Sequence, residues 1–107
     1  MQAERAHPSV SVAGVTLDIS DRVAVIAATG SKVVLTPLQA ALLAHLMSRP
    51  GQVCSRDDLM RQALGYPIAV GSRTVDVHVA TLRTKLAGAL SIRAVRGVGY
   101  TLDPVEG

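Results

Sequence analysis

The chain has 107 residues, 49% of them hydrophobic, with two tyrosines and no phenylalanine or tryptophan, so we expect one domain with a small aliphatic core. The formal net charge is only +3, but the segment from Leu59 to Leu102 carries six basic residues against one aspartate. The basic charge is therefore concentrated in the C-terminal half, where an acidic partner such as nucleic acid is favoured.

The single cysteine, Cys54, excludes an internal disulfide. It has no cysteine or histidine neighbour at metal-ligand spacing, so we expect no metal site and no cofactor. The apolar runs are too short to cross a membrane, and the N-terminus lacks the apolar core of a signal peptide. These features favour a cytoplasmic protein without membrane contact.

The N-terminal third of the chain is predicted to contain a leader followed by strands. Residues 1–9 are polar and contain a proline, which predicts a disordered leader or the remnant of a linker. From Val10 to Leu35, short β-branched runs alternate with turn residues, in the order VSV, VTLDI, RVAVIA and KVVL. This pattern predicts a small antiparallel sheet of four strands.

The next two segments each carry the sequence features of a helix N-terminus. Thr36 begins the sequence T-P-L-Q, which combines a capping hydroxyl, a proline at the first helical position and a glutamine three residues after the cap. We expect this helix to reach Met47 or Ser48, with a buried stripe of Leu38, Leu42 and Leu46. A second helix is predicted to begin after Ser55, with an inner face formed by Leu59, Met60, Ala63 and Leu64.

The third helix is predicted from Ser72 to Leu86, in the stretch SRTVDVHVATLRTKL. At 3.6 residues per turn, one narrow apolar stripe forms, containing Val75, Val79, Leu82 and Leu86. The opposite face carries small, β-branched and basic residues in place of the usual Glu and Lys, namely Arg73, Val77, Ala80, Thr81 and Thr84. Such a face favours contact with a groove of bases over simple solvation.

The last element is a predicted hairpin. The strand-like runs SIRAV and YTLD are joined by Arg96-Gly97-Val98-Gly99, whose two glycines fit a tight turn that projects an arginine.

Four segments, LTPLQAALLAHL, GQVCSRDDLM, SRTVDVHVATLRTKL and IRAVRGVGYTL, resemble the successive motifs of the OmpR/PhoB-type winged-helix DNA-binding domain of bacterial response regulators. The resemblance implies an α+β fold, a winged helix-turn-helix with an N-terminal four-stranded antiparallel sheet, a three-helix core and a C-terminal β-hairpin wing. The domain would occupy residues 10–104, with a tail at 105–107. In that family the third helix enters the major groove and the wing reaches the minor groove.

The resemblance also implies DNA-contacting residues. The helix positions that align with the family's DNA-facing positions are Arg73, Thr74, Val77, His78, Ala80, Thr81 and Arg83. Lys85 is expected to contact the DNA backbone together with Arg83, while Arg96 matches the minor-groove arginine of the wing. Tyr100 matches a tyrosine that commonly meets a phosphate. Ala80 and Thr81 are shorter than the usual family residues, which predicts weaker or differently specified binding.

Several of these residues also have purely structural interpretations. Val77 is able to pack on the wing, and a structural role for His78 is as well supported as a DNA contact. Asp76 is expected to form an ion pair with Arg73 or to cap the helix. Cys54 is expected to be a small packed hydrophobe, and His45 a half-buried helix residue.

Sequence-specific binding of double-stranded DNA, at promoters with repeated half-sites, is therefore the predicted function. The chain contains no recognisable catalytic motif, so we expect no enzyme. The alternative is a protein-interaction module of the same fold that contacts RNA polymerase or a partner domain and has weak or no DNA specificity. The polymerase contact would use the loop from Gly65 to Gly71. The polar leader favours a fragment of a larger regulator over a chain that stands alone or is joined to another kind of domain. Because this chain contains no receiver domain, we expect it to be a monomer in solution and to pair on DNA.

Overall fold

The computed structural model of the protein describes residues 9–65 and 73–103. Its elements follow the predicted order, with an N-terminal sheet, helices and a C-terminal sheet: β1 (Ser9–Val12), β2 (Val15–Asp18), β3 (Val23–Ile26), β4 (Ser31–Val34), α1 (Pro37–Met47), β5 (Cys54–Ser55), α2 (Arg56–Asp58) continued by a π-helical segment (Leu59–Ala63), α3 (Arg73–Leu86), β6 (Ile92–Val95) and β7 (Gly99–Leu102). This is the predicted winged helix-turn-helix architecture.

The N-terminal sheet has the strand order β1-β2-β3-β4, and each neighbouring pair is antiparallel. Its strands lie within one residue of the predicted boundaries, and β1 begins at Ser9, one residue before the predicted start of the domain. Alternate residues of the middle strands face the core, where Val15, Leu17 and Ala24 are buried. The sheet therefore covers one side of the helical core.

The start of α1 has the predicted capping box. Thr36 Oγ1 accepts a hydrogen bond from the Gln39 backbone nitrogen at 3.2 Å, and Gln39 Oε1 accepts one from the Thr36 nitrogen at 3.1 Å. Two residues of the predicted stripe, Leu42 and Leu46, are fully buried, while Leu38 is only partly buried. The buried face is broader than predicted, since it consists of Gln39, Ala40, Leu42, Leu43, Leu46 and Met47. It is broader because α1 packs against β1, the π-helical segment, α3 and β7 at once.

The second helical segment begins as predicted, with Ser55 Oγ accepting a hydrogen bond from the Asp58 nitrogen at 3.0 Å. It then widens into a π-helical turn, in which the Leu64 nitrogen donates to Leu59 O at 3.0 Å. Leu59 and Met60 are fully buried, and Leu64 is nearly so, which confirms most of the predicted inner face.

Helix α3 buries its predicted stripe completely, since Val75, Val79, Leu82 and Leu86 are all 0–1% exposed. Ser72, at which this helix was predicted to begin, lies outside the described residues. Among the helices that the structure describes, none is long and apolar enough to cross a membrane.

The predicted C-terminal hairpin is confirmed as β6 and β7, and it is part of a larger sheet. Strand β7 pairs with β6 on one side and with β5 on the other, in the order β5-β7-β6. Strand β5 has only two residues, too few for an alternation of polar and apolar side chains to reveal it. The pairing of β5 with β7 connects the wing directly to the start of α2, which follows β5 in the chain.

Candidate nucleic-acid interface

The outer face of α3 is open to solvent. Val77 is 61% exposed, and Ala80 and Thr84 are exposed on the same side of the helix. Thr81 is half-buried, and its hydroxyl donates to Val77 O at 3.1 Å. The exposure of Val77 shows that the alternative of packing on the wing was wrong.

One flank of α3 is fixed to the wing sheet by a buried tyrosine. The hydroxyl of Tyr100 donates to Asp76 Oδ1 at 2.5 Å, and the same oxygen accepts from Arg56 Nε at 3.0 Å. The Arg56 guanidinium carbon also lies 5.3 Å from the centroid of the Tyr100 ring. Burial and the hydrogen bond to Asp76 raise the pKa of the Tyr100 hydroxyl, which therefore stays protonated and donating.

Asp76 forms an ion pair with Arg56 of α2, which was not predicted. The predicted ion pair with Arg73 stays a prediction, because the side chain of Arg73 lies outside the described part of the chain. Tyr100 is only 5% exposed, and its one hydroxyl proton is directed to Asp76. Its contact with a DNA phosphate stays a prediction, and such a contact would have to compete with Asp76 for that proton.

Arg83 continues the same flank. Its Nε and Nη2 atoms donate to the main-chain oxygen of Ile92 in β6 at 3.0 and 2.6 Å. Its guanidinium carbon lies 5.7 Å from the centroid of the Tyr100 ring. Arg83 therefore joins α3 to the wing while keeping its positive charge, since a carbonyl oxygen does not neutralise it.

The Asp76 contacts lead to a stability prediction. We expect Asp76→Ala to lower the free energy of unfolding by about 1–3 kcal/mol, because it leaves a buried hydroxyl without an acceptor. Tyr100→Phe removes that hydroxyl, so the double variant should lose less than the two single losses added together. Urea denaturation of all four proteins gives the coupling, and strict additivity would show that the hydrogen bond contributes nothing.

The opposite flank of α3 faces the N-terminal half of the domain. Lys85 Nζ donates to Val34 O at 3.1 Å and to Gln39 Oε1 at 2.8 Å, so it connects α3 to β4 and to the start of α1. His78 and Thr74 are half-buried. The half-buried position of His78 is compatible with a structural role and with a DNA contact, so its DNA contact stays a prediction.

The wing ends in a turn from Val95 to Val98, closed by a hydrogen bond from the Val98 nitrogen to Val95 O at 2.9 Å. Arg96 is exposed in this turn, and Gly97 has a φ of 75°, a conformation that side chains disfavour. Val98 is 47% exposed. The predicted projection of Arg96 from the wing is confirmed.

Ion pairing decides how much positive charge this surface offers. Arg93 pairs with Asp103 at 3.0 Å, and Arg56 pairs with Asp76. Among the described side chains of α3 and the wing, three basic groups have no carboxylate partner, namely Arg83, Lys85 and Arg96. The predicted excess of positive charge is therefore present among the described side chains of this surface. It is smaller than the formal charge that is counted from the sequence.

Sequence reasoning missed Arg56 and Gln39 as supports of this surface. Each acts through a partner that is distant in the chain: Arg56 through Asp76, and Gln39 through Lys85. The predicted polymerase-contacting loop, from Gly65 to Gly71, lies outside the described residues except for Gly65.

The family model described as "Transcriptional regulatory protein, C terminal" matches residues 30–102. The transcriptional regulatory protein CseB of Streptomyces avermitilis is 46% identical over 74 residues, which cover 69% of this chain and 31% of that protein. The phosphate regulon regulator PhoB of Rhizobium meliloti is 47% identical over 72 residues, covering 64% of this chain and 32% of that protein. The chain thus spans about a third of the length of these relatives.

The chain is also similar to solved structures of DNA-binding domains. The DNA-binding domain of CpxR from Escherichia coli superposes with a TM-score of 0.76 at 27% identity, covering 92% of this chain and 99% of that one. The DNA-binding domain of RstA from Klebsiella pneumoniae, solved in complex with the RstA box, has a TM-score of 0.77 at 29% identity, covering 92% and 100%. The chain belongs to the family of C-terminal DNA-binding domains of transcriptional regulatory proteins, the OmpR/PhoB-type effector domains, which is not an enzyme family.

Proposed function

We propose that this domain binds specific sequences of double-stranded DNA as the output domain of a bacterial two-component regulator, with α3 in the major groove and the wing in the minor groove. The proposal rests mainly on how α3 and the wing are placed relative to each other. The outer face of α3 is open, with Val77 61% exposed, while one flank is fixed to the wing through Asp76 and Arg83. A rigid helix and a projecting arginine are thereby held at a set distance from each other.

The chemistry of the two parts suits two grooves. The major groove admits an α-helix and presents thymine methyl groups, to which an exposed valine such as Val77 is complementary. Ala80 and Thr81 are too short to reach far, so specificity depends on Val77, His78 and the basic residues at the flanks. Arg96 on the wing suits a narrow minor groove, whose negative potential attracts arginine.

The relatives support this assignment. The RstA domain was solved with the RstA box, and the DNA-binding domain of the response regulator AdeR was solved with an intercistronic region. We place the protein in the bacterial cytoplasm, as a monomer that pairs on adjacent half-sites. Contact with RNA polymerase through the loop from Gly65 to Gly71 belongs to the alternative proposal, in which the fold serves mainly as a protein-interaction module.

The proposal is tested by selecting bound sequences from a random duplex pool and then measuring their affinity at several salt concentrations. If Arg83, Lys85 and Arg96 each neutralise one phosphate, the slope of log K against log salt should be about −2.7. Arg96→Ala should weaken binding by about 5- to 30-fold and reduce the slope by about 0.9, with an unchanged Tm.

The matched control is Lys32→Ala, which removes an exposed positive charge from β4 in the N-terminal sheet. It should leave affinity and slope close to those of the wild type. Flat salt dependence, or no preference for any duplex over random DNA, would instead favour the protein-interaction alternative. A large fall in Tm for Arg96→Ala would show that Arg96 is structural.

A further inference from the structure

Arg56 lies where the three parts of the proposed DNA-binding surface meet. Its main-chain nitrogen donates to Val98 O in the wing turn at 3.2 Å. Its side chain reaches α3 through the hydrogen bond from Nε to Asp76 Oδ1 at 3.0 Å. Its guanidinium carbon lies 5.3 Å from the centroid of the Tyr100 ring in β7. One residue thus contacts the wing turn, a wing strand and α3.

The main chain of Arg56 is anchored to the core of the domain. Arg56 is the first residue of α2, whose start is capped by the hydroxyl of Ser55. The helical segment that follows places Leu59 and Met60 in the core, where both side chains are fully buried. Close-packed side chains leave a helix little room to shift, so the contacts of Arg56 hold α3 and the wing to a fixed point of the core.

The guanidinium of Arg56 already has a carboxylate partner within the protein. Its Nε atom is hydrogen-bonded to Asp76 Oδ1, and the two side chains are 29% and 41% exposed. A DNA phosphate would have to compete with Asp76 for this group, whereas Arg83 and Arg96 have no carboxylate partner among the described residues. We therefore expect Arg56 to contribute little to the neutralisation of phosphates.

The planar shape of the guanidinium is used in these contacts. The same group donates to Asp76 and lies over the ring of Tyr100, whose hydroxyl donates to the same carboxylate oxygen. Arginine combines a rigid fork of donors with stacking on aromatic faces, whereas the lysine ammonium is a compact point charge. The contacts of Arg56 therefore depend on the shape of its side chain as well as on its charge.

We propose that Arg56 is a positioning residue that determines the DNA specificity of the domain without contacting DNA, because it fixes α3 relative to the wing. The inference rests on the proposed function. A specific site has to accept α3 in the major groove and Arg96 in the minor groove at the same time, which requires placement within about 0.5 Å. Random DNA is bound mainly through phosphate charge, which tolerates a displaced helix.

The test measures a specificity ratio, which is the affinity for a duplex selected from a random pool divided by the affinity for random duplex DNA. Arg56→Met keeps the aliphatic stem and the main-chain bond to Val98 O but removes the guanidinium. We expect the ratio to fall by at least about 10-fold, as for the loss of one good base contact, while the slope of log K against log salt stays unchanged. If Arg56 contacted a phosphate instead, Arg56→Met would weaken binding to all sequences alike and reduce the slope by about 0.9, and this result would overturn the proposal.

Asp76→Ala changes the charge in the opposite direction. Removal of a carboxylate makes the surface more positive, so charge alone predicts tighter binding to every duplex. The variant also removes the acceptor through which Arg56 holds α3, so we expect the specificity ratio to fall by at least about 10-fold here too. In the double variant the ratio should fall by less than the product of the two single effects, because both substitutions remove the same contact. An unchanged or raised ratio in Asp76→Ala would contradict the positioning role.

The matched control is Arg61→Met. Arg61 pairs with Asp57 within the same helical region, so this variant also loses one positive charge and one ion pair. Its specificity ratio should stay within about 2-fold of the wild-type value, since an exposed ion pair of this kind contributes little. All ratios are measured at a temperature at which circular dichroism shows every variant to be folded. An equal fall of the ratio in Arg61→Met and Arg56→Met would overturn the proposal.

Arg56→Lys separates charge from shape. It keeps the positive charge but lacks the planar group, so its specificity ratio should remain at least about 3-fold below the wild-type value. A ratio restored fully by lysine would show that charge alone is sufficient, and it would reject the positioning role. A wild-type protein without preference for any duplex would reject the proposed function, and this inference with it.

Discussion

Val79→Asp should leave the domain unfolded at room temperature. Val79 is 0% exposed and lies on α3 among the buried residues Val75 and Leu82. A carboxylate at that position is either ionised without a partner or held protonated, and either state costs more than about 4 kcal/mol. Native proteins have only about 5–15 kcal/mol of stability in total, so a loss of this size removes most of it for a domain at the lower end of that range. Far-ultraviolet circular dichroism and the dispersion of amide resonances measure the outcome.

The same substitution two residues earlier is the control. Val77 is 61% exposed on the opposite face, so Val77→Asp should change the free energy of unfolding by no more than about 0.5 kcal/mol. It should nevertheless reduce DNA affinity strongly, because it places a negative charge on the proposed groove-facing surface. A folded Val79→Asp variant with normal DNA binding would show that the two helix faces are assigned wrongly.

The local features of the sequence were sufficient for most of the fold. The capping box at Thr36 and Gln39 depends on residues three apart, and the α3 stripe depends on a helical period, so both were predictable. The width of the buried surface on α1 was not, because Leu43 and Met47 are buried by several elements that only the tertiary structure brings together.

Contacts between residues that are far apart in the sequence could not be predicted from the sequence. Arg56 and Asp76 are 20 residues apart, and Asp76 and Tyr100 are 24 apart, so no local period links them. The resemblance to the family suggested a DNA-facing role for Tyr100, while the structure gives the tyrosine a second role in supporting α3.

A second large effect is expected at Gly99, the first residue of β7. A Cβ atom at this position would lie 2.0 Å from Cys54 O and 2.8 Å from Ser55 Cα, far inside contact distance. Both atoms belong to the backbone of β5, which is held by its pairing with β7, so neither yields cheaply. We expect Gly99→Ala to lower the free energy of unfolding by about 2–4 kcal/mol and to separate β5 from the wing.

Gly97 is the matched control, because it lies in the turn of the same hairpin. A Cβ atom there meets nothing within 4 Å, and the only penalty comes from its φ of 75°. Gly97→Ala should therefore cost only about 1 kcal/mol. Urea denaturation of both variants measures the difference, and amide exchange in β5 shows whether its pairing is lost. Equal costs at the two glycines would mean that the wing moves away from β5 readily and is not a fixed support for α3.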